Sequence, residues 1–407
     1  MPKIKNETFV KRFYLFIVII IFILSMTFFT LAIKFNENYF LQFSPDKVLK
    51  QTTLDKIKIL QAALLVLSAL SLLTILFFLF YRKPLKLFIK KHNVKIKNFS
   101  LLVGVLFAVF LIMEVALMIF LNEQTIAGGF GPGSLKFNKK YVHLNNDGIR
   151  DRDFSLEKPS DTFRIAVLGD SFTFGNGIKN INKIYPKILE KKLNAGGNQK
   201  YEVLNFALPG KDTEDEIEIL KNKALKYDPD IVILGYVLND FKLVDKETLK
   251  SSHLTIIPWL GFWLRNFFYT YVYFEIKTNR LLENFKLKDT ETEIVKNNLN
   301  SQKNQEANRK LFNELGLLAK DKDIEVIVVI FPLISDFNNY QFLDFSDFIK
   351  NTSLENNFKV IDILEVYKDY SPSELIINKY DAHPNEFGHE LAANYILEIF
   401  KKENIIP

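Results

Sequence analysis

The sequence predicts a doubly wound, mostly parallel α/β domain that follows three N-terminal transmembrane helices. Two observations predict this architecture. Three long apolar stretches lie within the first 122 residues, and beyond residue 161 short apolar runs alternate with helical patterns. Strands that alternate with helices form a parallel sheet with helices on its faces. We expect a membrane anchor over 1–122, a linker and approach segment over 123–160, and the α/β domain over 161–407, with an insertion at about 241–299.

The apolar stretches cover residues 13–33, 59–81 and 99–121. The first two contain no charged residue, and the third contains only Glu114. Each can cross a hydrocarbon core of about 30 Å, which needs about 20 helical residues. Core helices of soluble domains seldom stay apolar on every face over this length, so we expect three transmembrane helices. A carboxylate at membrane depth is either functional or faces the helix bundle, and the sequence leaves both open for Glu114.

Lys and Arg in the loops predict the orientation of the membrane helices. Residues 81–97 carry seven Lys or Arg and no acidic residue, whereas residues 34–58 carry five Lys together with Glu37, Asp46 and Asp55. Cytoplasmic loops are enriched in Lys and Arg, so the N-terminus and the loop 81–97 should be cytoplasmic. Three crossings then place the α/β domain outside the cytoplasm, in a multi-pass protein of the cell membrane.

The charge distribution argues against nucleic-acid binding. Residues 1–114 contain 16 Lys or Arg against five Asp or Glu, whereas residues 115–407 contain 37 against 42. A nucleic-acid-binding domain needs a basic surface of its own, and the large domain is mildly acidic. The membrane lipid bilayer is the partner that the sequence indicates. The chain contains no cysteine, which excludes disulfides, thiolate catalysis and cysteine-ligated zinc.

Apolar runs and amphipathic patterns predict the elements of the α/β domain. The predicted buried strands are 164–168, 202–206, 231–236, 325–331 and 360–363. The predicted helices are 182–193, 213–226, 300–320 and 386–401. Thr213 and Glu216 have the spacing of a capping box at the start of the second helix. In such sheets ligands bind at the carboxyl ends of the strands.

The first predicted strand ends in Gly169-Asp170-Ser171, which places a hydroxyl at the ligand-binding edge of the sheet. This loop lacks the Lys-Ser/Thr of a phosphate-binding loop and the glycine spacing of a dinucleotide-binding turn. A nucleotide-binding domain is therefore a poor interpretation. A G-x-S-x-G nucleophile elbow is also missing, which argues against the α/β-hydrolase fold.

Asp381 precedes His383 by two residues, just before the last predicted helix. In extended chain the two side chains project to the same side, so the carboxylate can accept the Nδ1 proton and leave Nε2 as a base. A surface histidine beside a helix start is the alternative. None of the remaining histidines has the acidic partners of a metal site, and we expect neither a metal nor a cofactor. These are His92, His143, His253 and His389, of which His389 should be half-buried on the last helix.

Gly210 and Asn239 follow the second and third predicted strands, where their loops reach the same sheet edge. A glycine N–H and an asparagine amide are donors of the kind that stabilise an oxyanion. Both residues are also common in ordinary turns. The stretch 256–274 is apolar and aromatic, and it is either a packing segment or a lid that lies at the membrane interface.

In order and strand context these stretches resemble the SGNH/GDSL hydrolase superfamily over about residues 146–394. The matching blocks are Gly169-Asp170-Ser171, Gly210, Asn239-Asp240 and Asp381-x-His383-Pro384. The resemblance implies an SGNH-hydrolase-like, flavodoxin-like fold and a triad of Ser171 as nucleophile, His383 as base and Asp381 as the orienting carboxylate. It also implies an oxyanion hole formed by the backbone N–H groups of Ser171 and Gly210 and the side chain of Asn239.

The sequence departs from the family pattern at three places. Position 172 is Phe instead of the usual Leu, and Val237 replaces a glycine two residues before Asn239. The valine is expected to narrow the cleft or to alter its strand. Asp381 lies two residues before the histidine instead of three, a spacing that membrane-bound bacterial relatives share.

The resemblance implies a serine ester hydrolase, an acyl- or acetylesterase. With the predicted membrane helices and their orientation, this becomes a membrane-anchored enzyme that acts outside the cytoplasm on an O-acylated glycan or a lipid. The same triad would give an O-acyltransferase if a sugar hydroxyl replaced water. A catalytically silent module of envelope assembly is a third interpretation.

Overall fold

A computed structural model describes residues 2–38, 51–120, 132–197, 199–241, 243–244, 261, 264–265, 268–284, 291–378 and 381–407. The predicted linker up to residue 131, His253 and, within the aromatic stretch 256–274, residues 256–260, 262–263 and 266–267 lie outside these residues. The chain divides into two compact units, Met1–Phe120 and Leu121–Pro407, and each is described by itself.

The first unit is helical. Its helices are α1 (Pro2–Lys34), α2 (Gln51–Phe80), α3 (Arg82–Lys91) and α4 (Asn93–Phe120). By length and composition, three segments of the described chain can cross a membrane: Thr8–Lys34, Ile57–Phe80 and Val94–Ile119. This agrees with the predicted membrane anchor, while the orientation of the helices stays a prediction.

A reciprocal serine contact joins α1 and α2. The hydroxyl of Ser25 donates to the carbonyl of Ser68, and the hydroxyl of Ser68 donates to the carbonyl of Ser25, each at 3.1 Å. Both side chains are buried between the helices. Small hydroxylated residues let two apolar helices approach closely and satisfy their own polar groups, as is typical of membrane-spanning pairs.

The second unit contains a five-stranded parallel sheet. Its strands are β1 (Thr162–Gly169), β2 (Lys200–Asn205), β3 (Ile231–Tyr236), β4 (Glu325–Ile330) and β5 (Lys359–Asp362). The spatial order is β2-β1-β3-β4-β5, with every neighbouring pair parallel. This is the flavodoxin-like doubly wound order, so the predicted fold class is confirmed.

Helices and a small hairpin complete this unit. The helices are α5 (Pro132–Tyr141), α6 (Ser171–Phe174), α7 (Tyr185–Leu193), α8 (Thr213–Asn222), α9 (Tyr269–Asn284), α10 (Glu291–Leu299), α11 (Gln302–Lys322), α12 (Leu343–Glu355), α13 (Leu364–Tyr367), α14 (Pro372–Leu375) and α15 (Glu386–Lys402). The hairpin pairs β6 (Ile376–Asn378) with β7 (Asp381–Pro384) in antiparallel orientation.

The sheet separates two hydrophobic clusters, because successive side chains of a strand point to opposite faces. Ala166 and Leu168 of β1 belong to one cluster, to which α8, α11 and α12 contribute. Ile165 and Val167 belong to the other, to which α7 and α15 contribute. Helices therefore cover both faces of the sheet, as the sequence predicts for buried parallel strands.

The start of α8 differs from the prediction. Asp212 caps this helix, since its side chain accepts from the N–H of Asp215 at 3.1 Å. Thr213 instead donates its hydroxyl to the main-chain oxygen of Asp240 at 3.2 Å, and Glu216 is buried. The predicted capping box of Thr213 and Glu216 is therefore wrong, because an aspartate one residue earlier is the N-cap and both side chains face inward.

Candidate active site

The loop after β1 is shaped by Gly169 and Asp170. Gly169 has φ +152°, and a Cβ atom built there would lie 2.3 Å from Thr173 Oγ1. Only glycine fits this position without displacing a neighbour. Asp170 then caps α6 by accepting from the N–H of Phe172 at 2.8 Å. Together they start α6 at Ser171, so its hydroxyl lies at the carboxyl edge of the sheet.

The structure brings Ser171, His383 and Asp381 together. His383 Nε2 lies 2.8 Å from Ser171 Oγ, although 212 positions separate them in the chain. On the other side of the imidazole, Nδ1 lies 2.5 Å from Asp381 Oδ1, which also accepts from the His383 N–H at 3.1 Å. Asp381 and His383 are both on β7, where residues two apart share a face.

The imidazole of His383 is held in a largely buried position. Burial alone would lower its pKa, but the hydrogen bond and the negative charge of Asp381 outweigh burial. Asp170 adds a further negative charge, and the pKa of His383 is raised above its ordinary value. The ring of Phe172 packs against the imidazole with centroids 5.4 Å apart. The phenylalanine that departs from the family pattern therefore supports the histidine.

Asn239 also contacts the loop after β1. It lies in a 3₁₀ turn, Leu238–Asp240, that follows β3. Its Nδ2 donates to Asp170 Oδ2 at 2.8 Å, and the Ser171 hydroxyl lies 3.2 Å from the same oxygen. An asparagine amide carries two N–H donors, so Asp170 engages one and orients the other.

Gly210 lies in the exposed turn after β2, with φ +71°. Because β2 and β3 are the two neighbours of β1, the turns with Gly210 and Asn239 flank the loop of Ser171 at one sheet edge. Val237 is fully buried and packs in the hydrophobic core. Its side chain therefore does not narrow the cleft, which was one of the two effects expected of a valine in place of the glycine.

His389 is fully buried, so the prediction of a half-buried side chain is wrong. Its Nδ1 accepts from the N–H of Tyr185 at 3.2 Å. Burial, followed by the positive charges of Arg150 and His383, lowers the pKa of His389 to about 3. Within the residues that the structure describes, no group of three or more His, Asp or Glu side chains has the arrangement of a metal site.

Comparison with known proteins identifies the family. The model of the GDSL-like lipase/acylhydrolase family matches residues 167–391, which is more than half of the chain. The chain belongs to the GDSL-like lipase/acylhydrolase family. It is therefore an ester-hydrolysing enzyme, and the predicted superfamily is confirmed. No curated protein matches the chain by sequence.

Solved structures similar to this GDSL-family chain share little sequence with it. TesA is 12% identical, with a TM-score of 0.38, over 59% of this chain and 98% of TesA. The lipase/acylhydrolase from Enterococcus faecalis is 16% identical, with a TM-score of 0.35, over 59% and 96%. A catalytic mutant of an acetylxylan esterase from Geobacillus stearothermophilus is 16% identical, with a TM-score of 0.38, over 58% and 93%.

Arg150 supports the loop that carries Ser171, a role that was not predicted from the sequence. The guanidinium is buried and donates to the carbonyl oxygens of Phe174 at 3.2 Å, Gly175 at 2.8 Å and Ile178 at 2.5 Å. Burial lowers the pKa of Arg150 to about 10. The first of these carbonyls belongs to the last residue of α6 and the other two follow it, so Arg150 anchors the segment that begins at Ser171. No spacing or motif in the sequence distinguishes it from a surface arginine.

Proposed function

We propose that this GDSL-family enzyme is a membrane-anchored serine ester hydrolase with Ser171 as nucleophile, His383 as general base and Asp381 as the orienting carboxylate. The observation that carries the proposal is the 2.8 Å distance between Ser171 Oγ and His383 Nε2, with Asp381 Oδ1 on the opposite ring nitrogen. A serine hydroxyl is activated when a base lies within hydrogen-bond reach of it and a third group orients that base.

The reaction proceeds in two halves. Ser171 Oγ attacks the ester carbonyl carbon while its proton moves to His383 Nε2, and the tetrahedral intermediate expels the alcohol, which takes that proton. Water then attacks the acyl-enzyme and gives a proton to His383, which returns it to Ser171 as the carboxylic acid leaves. Asp381 stabilises the imidazolium that forms in both halves. General-base assistance of this kind contributes about 10²–10⁴ in rate.

Three donors are proposed for the oxyanion. They are the backbone N–H groups of Ser171 and Gly210 and the free N–H of the Asn239 amide. The loops after β2, β1 and β3 carry them, and these strands are adjacent in the sheet. The N–H of Ser171 belongs to the first turn of α6, where backbone donors lack partners within the helix. Loss of one such donor costs about 10²–10³ in kcat.

The proposed substrate is an O-acylated glycan or a lipid outside the cytoplasm. Three helices of the described chain are long and apolar enough to cross a membrane, which supports an enzyme anchored at the cell envelope. The Lys and Arg of residues 81–97 favour a cytoplasmic location for that loop. A catalytic unit that follows the third crossing would then face surface polymers and the outer leaflet.

Covalent labelling tests the nucleophile. The full chain in detergent micelles should be labelled by a fluorophosphonate, and Ser171→Ala should abolish labelling and ester hydrolysis. Ser335→Ala is the control, because Ser335 is a partly buried loop serine whose hydroxyl, among the described residues, bonds only to the Leu333 carbonyl. An unlabelled wild-type protein would favour the silent assembly module. Transfer of acetyl to an added sugar in preference to water would identify an O-acyltransferase.

A further inference from the structure

Three carboxyl groups are buried behind the proposed oxyanion site: Asp170, Glu216 and Asp240, each with no exposed surface. Asp170 receives hydrogen bonds from Phe172, Ser171 and Asn239. Asp240 Oδ2 receives one, from the N–H of Val237 at 2.6 Å. Neither oxygen of Glu216, nor Oδ1 of Asp240, has a hydrogen-bond partner in the described part of the chain.

The surroundings of Glu216 and Asp240 are negative. Both carboxyl groups face Asp212, the N-cap of α8, and Asp170 across the site. Glu216 also faces Asp215, which pairs with Lys211 at 3.8 Å. From β3 the phenol of Tyr236 faces them, while His383 lies beyond Asp170. Among the described residues no Lys or Arg forms an ion pair with either carboxyl group. An unpaired carboxylate is costly in such a place, so the neutral form is favoured.

Burial and the neighbouring negative charges act in the same direction. Burial raises the pKa of Glu216 well above its ordinary value, and the charge of Asp170 raises it further. Burial likewise raises the pKa of Asp240, followed by the charge of Glu216, although the Val237 N–H opposes the shift. Both carboxyl groups therefore retain protons over a pH range in which exposed carboxyl groups are ionised.

Asp240 and Thr213 hold the turn that carries Asn239, and Glu216 lies beside them on α8. The carboxyl group of Asp240 closes the turn through the Val237 N–H, and its main-chain oxygen accepts from the Thr213 hydroxyl at 3.2 Å. Glu216 lies one helical turn beyond Thr213 on α8, on the same face. A negative charge on Glu216 would repel Asp170 and Asp240, and a negative charge on Asp240 would repel Asp170 and Glu216. Either repulsion acts on the turn that Thr213 and Asp240 hold.

We propose that Glu216 and Asp240 are positioning residues for Asn239, and that the turn keeps the amide against Asp170 only while this pair retains its protons. The inference rests on the proposed function, because it takes Asn239 as an oxyanion donor. Loss of a proton to solvent as the pH rises displaces the amide. Since the oxyanion exists only after attack, kcat should fall while KM stays nearly constant.

Glu216→Gln tests the proposal, because the amide keeps the shape of the acid and cannot ionise. With phenyl acetate and the full chain in detergent, we expect the fall in kcat with rising pH to move to higher pH by about one unit or more, with KM within about twofold. Glu218→Gln is the matched control, since Glu218 is on the same helix with an exposed side chain. It should reproduce the wild-type profile.

Thermal stability gives a second, activity-independent readout. An acid whose pKa is higher in the folded state loses stability as pH rises above the unfolded-state pKa, because the unfolded chain then binds fewer protons. The apparent Tm of the wild type should therefore fall with rising pH more steeply than that of Glu216→Gln. If Glu216→Gln does not fold, Asp240→Asn replaces it, because its amide oxygen can still accept from Val237.

Superimposable kcat and Tm profiles for the wild type and Glu216→Gln would overturn the inference. Fluorophosphonate labelling separates the two possible failures. A wild type that labels at Ser171 but shows superimposable profiles overturns the positioning role alone. A wild type that does not label overturns the proposed function together with the role of Asn239.

Discussion

Asn239 Nδ2 donates a 2.8 Å hydrogen bond to Asp170 Oδ2, and the two residues lie on turns that follow neighbouring strands. The bond uses one N–H of the amide and fixes its plane, so the second N–H has a defined direction. A pre-oriented donor stabilises a developing oxyanion better than one that must reorganise. Asp170 thus acts on the proposed oxyanion hole as well as on the α6 cap.

Asp170→Asn should lower kcat about 10²–10³-fold with a small change in KM. If the amide oxygen of the new side chain accepts from the Phe172 N–H and so caps α6, its NH₂ group faces the Nδ2 donor of Asn239. If the amide is turned the other way, the cap of α6 is lost. Steady-state kinetics on phenyl acetate measures the effect. Asp344→Asn, an exposed position at the start of α12, serves as the control. Wild-type kcat in Asp170→Asn would contradict the positioning of Asn239 by Asp170.

Asp381→Asn should lower kcat by about 10³–10⁴-fold. The amide can donate to His383 Nδ1 and so favour the tautomer whose Nε2 carries the proton, which cannot accept from Ser171. Within the described part of the chain, the Asp381 carboxyl group hydrogen-bonds only with His383, through Nδ1 at 2.5 Å and through the main-chain N–H. Pre-steady-state acylation rates check the prediction. A loss below tenfold would mean that Asp381 does not set the tautomer.

The acidic limb of kcat/KM should report His383. Activity requires the neutral imidazole, so it falls as pH decreases through the histidine pKa. Because Asp381 raises that pKa, the wild-type limb should lie above the pH expected of an ordinary histidine. In Asp381→Asn the raising charge is gone, and the limb of the residual activity should move to lower pH. If the acidic limb of Asp381→Asn stays at the wild-type pH, the limb reports the titration of a group other than His383.

Much of the fold could be predicted from local patterns. Each of the five strands contains a short apolar run, and each lies within two residues of its predicted bounds, for example 164–168 against Thr162–Gly169. Asp381 and His383 could be paired because residues two apart share a face in extended chain. Neither prediction needs knowledge of distant neighbours.

Other features depend on packing between distant segments, and local patterns do not predict them. Glu216 has the spacing of a cap, yet it is buried because Asp212 caps α8 and Thr213 bonds the turn after β3. Arg150 resembles a surface arginine until the segment after α6 brings three carbonyls to it. The hairpin of β6 and β7 was not predicted, because its strands are three and four residues long.

Arg150→Met should destabilise the second unit. The change keeps much of the side-chain volume but removes the donors to the carbonyls of Phe174, Gly175 and Ile178. Buried acceptors left without partners cost about 1–3 kcal/mol each, and relief of the desolvated charge offsets part of this loss. We expect a net loss of about 2–4 kcal/mol in the free energy of unfolding.

Urea unfolding of the full chain in detergent measures this change, with the loss of ester hydrolysis as the readout. Arg309→Met is the matched control, because Arg309 is partly exposed and its ion pair with Glu355 is on the surface. Exposed ion pairs contribute about 0–1 kcal/mol. Equal effects of the two substitutions would show that the buried arginine does not anchor the segment after Ser171.

The orientation of the membrane helices can be tested because the chain contains no cysteine. A single cysteine at Lys191, exposed on α7, should react with a membrane-impermeant maleimide added to intact cells. One at Lys90, exposed on α3 in the basic loop, should react only after the membrane is permeabilised. The expectation follows from the seven Lys or Arg of residues 81–97, which favour the cytoplasmic side. The reverse pattern would place the catalytic unit in the cytoplasm and would exclude a surface glycan as its substrate.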